Sequence, residues 1–232
     1  MPGRTHPLLY AVTILVTAFF FTESCAAERS GLPLPSNVSP EIIAEEMLFN
    51  GSPMEIIQFK VLDTKPVEAF YRRYFSEYAD KRKFSENSLH GHKYIGAMIR
   101  KKLVNVEFMP AEGKLTTVLV SSIEPEKAKK PEELAKDIPR LGSTEILQHM
   151  SSRDGPKENR IVIMSNPHSV EANAGYLREH YQKKGWSRVR DNTIKTTVAR
   201  QLMFAKKDRT LVIDIQRLDR DSTKIVFNEI KE

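Results

Sequence analysis

Cysteine and tryptophan are almost missing from this chain: Cys25 and Trp186 are its single examples of each. Cys25 precedes everything that reads as folded, so the folded part has no intramolecular disulfide and no cysteine nucleophile. Familiar catalytic signatures are missing too. The sequence holds no Gly-x-Ser-x-Gly elbow, no His-Glu-x-x-His pair, no phosphate-binding loop and no dinucleotide fingerprint. Nor is the charge of one sign: 36 basic residues meet 30 acidic ones, for a net of +6. Basic clusters such as Lys81-Arg82-Lys83, Arg100-Lys101-Lys102 and Lys127 to Lys130 lie on a surface where acids intersperse. That makes a moderate field rather than a polybasic tail. Stability therefore rests on packing, and about 200 residues suffice for one or two hydrophobic cores.

What is present begins with a leader. Arg4 gives a positive start, Leu8 to Phe21 is uncharged and mostly apolar, and Ser24-Cys25-Ala26-Ala27 supplies small residues for cleavage. The apolar run reaches only about 21 Å as a helix, short of a hydrocarbon core of about 30 Å. Residues 1–27 thus read as a signal peptide. Two processing routes fit it. Phe21-Thr22-Glu23-Ser24-Cys25 matches a lipobox in part, which makes Cys25 a candidate lipidation site and a membrane anchor; cleavage after Ala26 or Ala27 would instead discard Cys25. Residues 28–40, with Pro33, Pro35 and Pro40, read as an extended spacer.

The exported part is written twice. Glu41-Ile42 through Asn50-Gly51 is matched by Glu145-Ile146 through Asp154-Gly155, and Pro66-Val67-Glu68-Ala69 by Ser169-Val170-Glu171-Ala172. In each copy two strand-like runs meet at a turn, Asn50-Gly51 being a strong hairpin signal and the Asp154-Gly155 region reading as looser. A helical stripe follows: Val67, Phe70, Tyr71, Tyr74 and Tyr78 in one copy, Val170, Ala174, Leu177 and Tyr181 in the other. Thr64 and Ser169 are the candidate N-caps. Three strand-like runs follow each helix, Tyr94–Arg100, Leu103–Phe108 and Leu115–Ile123, then Thr197–Phe204, Thr210–Leu218 and Thr223–Ile230. The expected fold is α+β: two tandem β-β-α-β-β-β repeats, each a mainly antiparallel sheet covered by one helix. Repeat 1 spans 41–123, a charged linker 124–140 and repeat 2 141–232.

Few residues offer chemistry. His90 and His92 flank Gly91 after the first helix and are candidate metal ligands, but a zinc or copper site needs a third or fourth ligand, and the second copy has no matching pair. A solvated loop is the plainer account. His149, His168 and His180 stand alone. Glu68 and Glu171 recur in the first turn of their helices, where a carboxylate meets the helix dipole without any catalytic role. Phe75 lies beside the aromatic stripe, free to pack on the core or on a partner. No catalytic residue and no cofactor is expected.

The order of elements and the leader resemble bacterial envelope lipoproteins built from tandem small α+β domains, such as the lipoprotein of the outer-membrane β-barrel assembly machine. They also resemble an uncharacterised bacterial exported family with tandem repeats of this kind. The resemblance implies no site residue. Together with the leader it sets the expectation of a non-enzymatic protein in the periplasm or on the periplasmic face of the outer membrane. Its role would be a binding or scaffold component of an envelope assembly (secretion, pilus or membrane biogenesis). A protein partner is expected there and nucleic acid is not. The alternatives are a ligand- or cell-wall-binding protein with a pocket between the copies, and a metal-dependent enzyme using His90 and His92.

Overall fold

The computed structural model describes residues 31–43, 46–89, 91–111, 113–194 and 198–232. Residues 1–30, which include Cys25 and the segment read as a leader, lie outside the described residues, as does His90. The strands are β1 (Glu41–Ile42), β2 (Met47–Phe49), β3 (Ser52–Val61), β4 (Phe84–Leu89), β5 (His92–Ile99), β6 (Lys102–Phe108) and β7 (Thr116–Ile123), then β8 (Glu145–Asp154), β9 (Lys157–Asn166), β10 (Ser187–Ile194), β11 (Ala199–Lys206), β12 (Arg209–Arg217) and β13 (Thr223–Lys231). The α-helices are α1 (Lys65–Tyr78), the single turn α2 (Pro131–Leu134) and α3 (Val170–Lys183).

All thirteen strands belong to one antiparallel sheet, ordered β10-β11-β12-β13-β9-β8-β2-β3-β7-β6-β5-β4, with β1 also paired to β3. This corrects the expected architecture. The two tandem β-β-α-β-β-β units, each with a sheet and helix of its own, do not form. The edges that would have bounded them pair with each other instead: Leu48 opposite Ser151 and Phe49 opposite Met150 join β2 to β8. The side chain of Asn50 accepts a hydrogen bond from the His149 amide (2.8 Å), and the Asn50 amide donates to the His149 carbonyl (2.7 Å). Pairing these edges satisfies backbone groups that two separate sheets would leave bare. The strand count exceeds the expected ten by three: the first run is split into β1 and β2, and β4 and β10 are added as polar strands at the two outer edges of the sheet.

The turns follow from the residues that make them. Asn50 (φ 49°) and Gly51 (φ 76°) form a two-residue turn with both residues left-handed, as the hairpin between β2 and β3 requires. The second turn is as tight, not looser: Asp154 pairs with Lys157 across Gly155-Pro156, with Gly155 at φ 56°.

Register fixes the two faces. Ile57, Val120, Val106 and Ile95 lie in line across four strands and pack under α1, whose buried side chains are Val67, Tyr71 and Phe75. The stripe of α1 is thus rotated from expectation. Phe75 is fully buried, whereas Tyr78 is 50% exposed. In the second half Val162, Phe227, Ile213 and Leu202 lie in line under α3, which buries Val170, Ala174, Leu177 and Tyr181 as the sequence periodicity indicates. Trp186 packs edge-on to Tyr181 and closes this core. Following the alternation through Pro53, Leu48 and Ser151 shows that α1 and α3 sit on the same face of the sheet.

Neither the spacer nor the linker is free. Leu32 is buried in the first core, with Leu34 and Val38 beside it, and Tyr71 donates its hydroxyl to the Pro33 carbonyl (2.8 Å). Ala135 and Ile138 of the linker are buried in the second core.

Candidate functional site

Charge networks line the helix side of the sheet. There the acids repeated in the sequence prove to be members of charge networks. Glu68 accepts from Lys93 of β5 (2.5 Å) and from Arg72 (3.2 Å), and Arg72 reaches Glu86 of β4 (2.6 Å). In the second half Arg200 of β11 bonds Glu171, and Asp191 of β10 accepts from Arg200 (2.6 Å) and Arg178 (3.0 Å). The hydrogen bond from Arg200 leads the lowering of the Asp191 carboxyl below its ordinary value. For Glu68, burial acts upward, but the Lys93 and Thr64 hydrogen bonds and nearby cations outweigh it and hold the group low. Each network fastens a helix to an outer strand. The sequence shows the acids, and Arg72 stands at i+4 from Glu68, but Lys93 and Arg200 lie too far along the chain for spacing to reveal.

At the seam, His149 is 8% exposed. Arg160 donates to its Nε2 (3.1 Å) and binds Asp137 with both arms of its guanidinium (2.6 and 2.7 Å). With Nε2 accepting, the neutral ring carries its proton on Nδ1, which is buried without a partner. Burial first, then the Arg160 charge, push the imidazole below its usual basicity. Nearby a groove of about 510 Å³ runs along the seam. Arg153, Arg160, Arg209 and Lys231 line it together with Glu46, Asp137, Glu158 and Glu229. These cations and acids pair among themselves, so the groove offers neither the apolar lining nor the net charge of a small-ligand pocket.

The opposite face carries no helix among the described residues. In the first half it holds a buried carboxylate. Glu107, 4% exposed, accepts from His92 Nδ1 (2.6 Å) and from the Tyr94 hydroxyl (3.3 Å). The candidate ligand His92 is therefore on a strand, with one ring nitrogen engaged. No cluster of three or more His, Cys, Asp or Glu suited to a metal exists among the described residues. In the second half the same face is aliphatic and amide-rich. Ile161, Ile163, Val212 and Val226 are half-buried beside Asn159, Asn228, Gln148 and Gln201. Three of these amides have buried atoms without partners: Gln148 Nε2, Asn159 Oδ1 and Asn228 Oδ1. Incomplete pairing of this kind costs on the order of 1–3 kcal/mol per group.

His168 and His180 play local parts. The His168 ring bonds the Gly142 carbonyl (2.8 Å), and His180 sits in the last turn of α3 against Tyr181. No helix of the described residues is long and apolar enough to cross a membrane. No protein-family model, characterised protein or solved structure matches the chain.

Proposed function

We propose that this is an exported, non-enzymatic binding component of an envelope assembly, and that it docks a protein through the helix-free face of its sheet. The observation that carries the reading is the second half of that face: the half-buried aliphatic side chains of Ile161, Ile163, Val212 and Val226 alternate with the amides of Asn159, Gln201 and Asn228. Depletion of charge around an apolar centre is the compositional mark of an interface core. The amides favour a protein over an acyl chain, because hydrocarbon supplies neither donors nor acceptors. The leader supports placement in the periplasm or on the periplasmic face of the outer membrane, with Cys25 as the anchor if it is lipidated.

The test is site-specific photo-crosslinking in living cells. A photoreactive residue at Met203 on the free face is expected to form adducts, and one at the exposed Glu179 on α3 is not. Equal yields at the two positions would remove the case for this face. Fractionating Cys25→Ala beside the unaltered chain tests the anchor: loss of membrane association is expected, and an unchanged distribution refutes lipidation.

A further inference from the structure

The geometry points to an anionic lipid surface as the ligand of one end of the first half, a site separate from the helix-free face. Three basic clusters far apart in the sequence meet there: residues 80–83 after α1, residues 100–102 at the turn between β5 and β6, and residues 124–130 at the start of the linker. Asp80 joins the first two, its carboxylate accepting from the Arg100 amide (3.1 Å) and the Lys101 amide (3.5 Å). Lys101 reaches Glu126 (3.6 Å), which brings in the third.

The three segments hold nine cations and three acids, a net of +6. The whole chain also carries +6, so the rest of the molecule balances. Adding the flanking Glu77, Glu132 and Glu133 still leaves +3 at this end. All nine cations are exposed, whereas the three acids are engaged: Asp80 by the two amides, Glu124 by Lys127 (2.9 Å) and Glu126 by Lys101. The corresponding end of the second half is mixed, with Asp154, Asp208 and Glu232 among its lysines. Concentrated charge of one sign makes a directed field, and a membrane bearing anionic headgroups is its natural counterpart.

The backbone supports a use for these side chains. Lys81 (φ 58°), Arg82 (φ 51°), Arg100 (φ 48°) and Lys101 (φ 70°) all stand in the left-handed region, where glycine or asparagine is easier to place. The second half has Gly185 (φ 77°) after its helix. Such conformations persist where the side chain matters more than ease of turning.

Two features favour lipid over an acidic protein. Seven of the nine cations are lysines, point charges on flexible stems that follow mobile headgroups, whereas fixed interface pairs favour arginine forks. Apolar groups stand beside them: Tyr78, 50% exposed, lies two residues before Asp80, and Met98, 37% exposed, two before Arg100. A tyrosine ring at headgroup level with lysines reaching past it is the arrangement of an interfacial surface.

The test is co-sedimentation of the protein, as its own cells process it, with vesicles of phosphatidylcholine alone or with about 30% phosphatidylglycerol. The ratio of the two partition coefficients cancels an acyl anchor, which acts on both. A preference for the anionic vesicles of about tenfold or more is expected, collapsing in about 0.5 M salt. Lys83→Glu, Lys101→Glu and Lys130→Glu together, one from each segment, are expected to reduce that preference about tenfold. The same charge change away from the patch, Lys157→Glu with Lys184→Glu and Lys207→Glu, is expected to reduce it less than about threefold. Thermal melts check folding, and Lys83→Gln with Lys130→Gln replaces the first set if it does not fold. Equal losses from the two sets would show that only total charge matters and overturn the site. Equal binding to both vesicles would overturn the lipid. Adducts to an acidic protein from a photoreactive residue at 101, with no vesicle preference, would overturn it in favour of that partner.

Discussion

The two halves of the sheet share a plan and differ in what they do with it. Each fastens its long helix to an outer strand by a charge network, Glu68–Lys93 with Arg72–Glu86 in one and Glu171–Arg200 with Arg178–Asp191 in the other. On the helix-free face they part. The first half places Glu107 with His92 and Tyr94, where the second has aliphatic side chains and amides. Their first strands differ too: β1 and β2 are separate pieces, whereas β8 is continuous through a single register shift between Ile146 and Gln148. Positions that support the fold are alike, and positions that face outward are not. Specialisation has gone to the face without helices.

The largest test asks whether the halves unfold together. Phe75→Ala and Phe204→Ala each remove a fully buried ring, one from each core, and each is expected to cost about 3–5 kcal/mol. Trp186 packs only on the second core, so its fluorescence gives a local readout. In a shared sheet, Phe75→Ala shifts the Trp186 urea midpoint as far as it shifts the far-ultraviolet circular dichroism. Two separated transitions would show that the seam does not couple the halves.

Next comes the seam itself. Asn50→Ala removes the acceptor for the His149 amide and puts an alanine at a positive φ. A loss of about 1–2 kcal/mol is expected, with the two optical probes moving apart if the seam is what joins the halves.

His149 adds a smaller effect that depends on pH. Its basicity in the folded state is below the ordinary 6.5, so the unfolded chain binds the proton more readily. Stability is fully present above about 6.5 and declines as pH falls from there toward the lower folded value. Protonation would also set a cation against Arg160. His149→Gln is expected to flatten the dependence of melting temperature on pH across that window, and an equally steep curve in the variant would refute this source.

The smallest effect separates the two helix starts. The Ser169 side chain accepts from the Ala172 amide (3.1 Å), whereas Thr64 makes no such cap and donates its hydroxyl to Glu68. Ser169→Ala is expected to cost about 1 kcal/mol, and Thr64→Ala less, as chemical denaturation would measure.

Local features of this fold were readable from the chain. The Asn50-Gly51 turn, the α3 stripe and the placement of Trp186 follow from residues close in sequence. The edge strands β4 and β10 were not. Phe-Ser-Glu-Asn-Ser-Leu is mostly exposed, and β10 has a register break at Val189 that interrupts its alternation. Strands at an edge need only one hydrogen-bonded neighbour and carry little apolar signal. The merger of the sheets was hidden for a different reason. It depends on three-residue β2 meeting a strand some hundred positions away, and its bonds are mainly between backbone groups, which residues of almost any type can supply. His149 stood alone in the sequence for the same cause, since neither spacing nor composition announces Arg160 as its partner across strands. The helix-free face was visible only once register had sorted the apolar runs of β9 and β12 into two sides.

The pairing of β2 with β8 has one more implication. It joins corresponding strands of two similar halves in antiparallel fashion, which is the contact two separate subunits would make about a symmetry axis. The intervening segment turns that encounter into an event within one chain, at an effective concentration in the millimolar range for a short tether. A seam of so few backbone bonds, too weak to hold free subunits together at cellular concentrations, is enough when its two sides are never far apart.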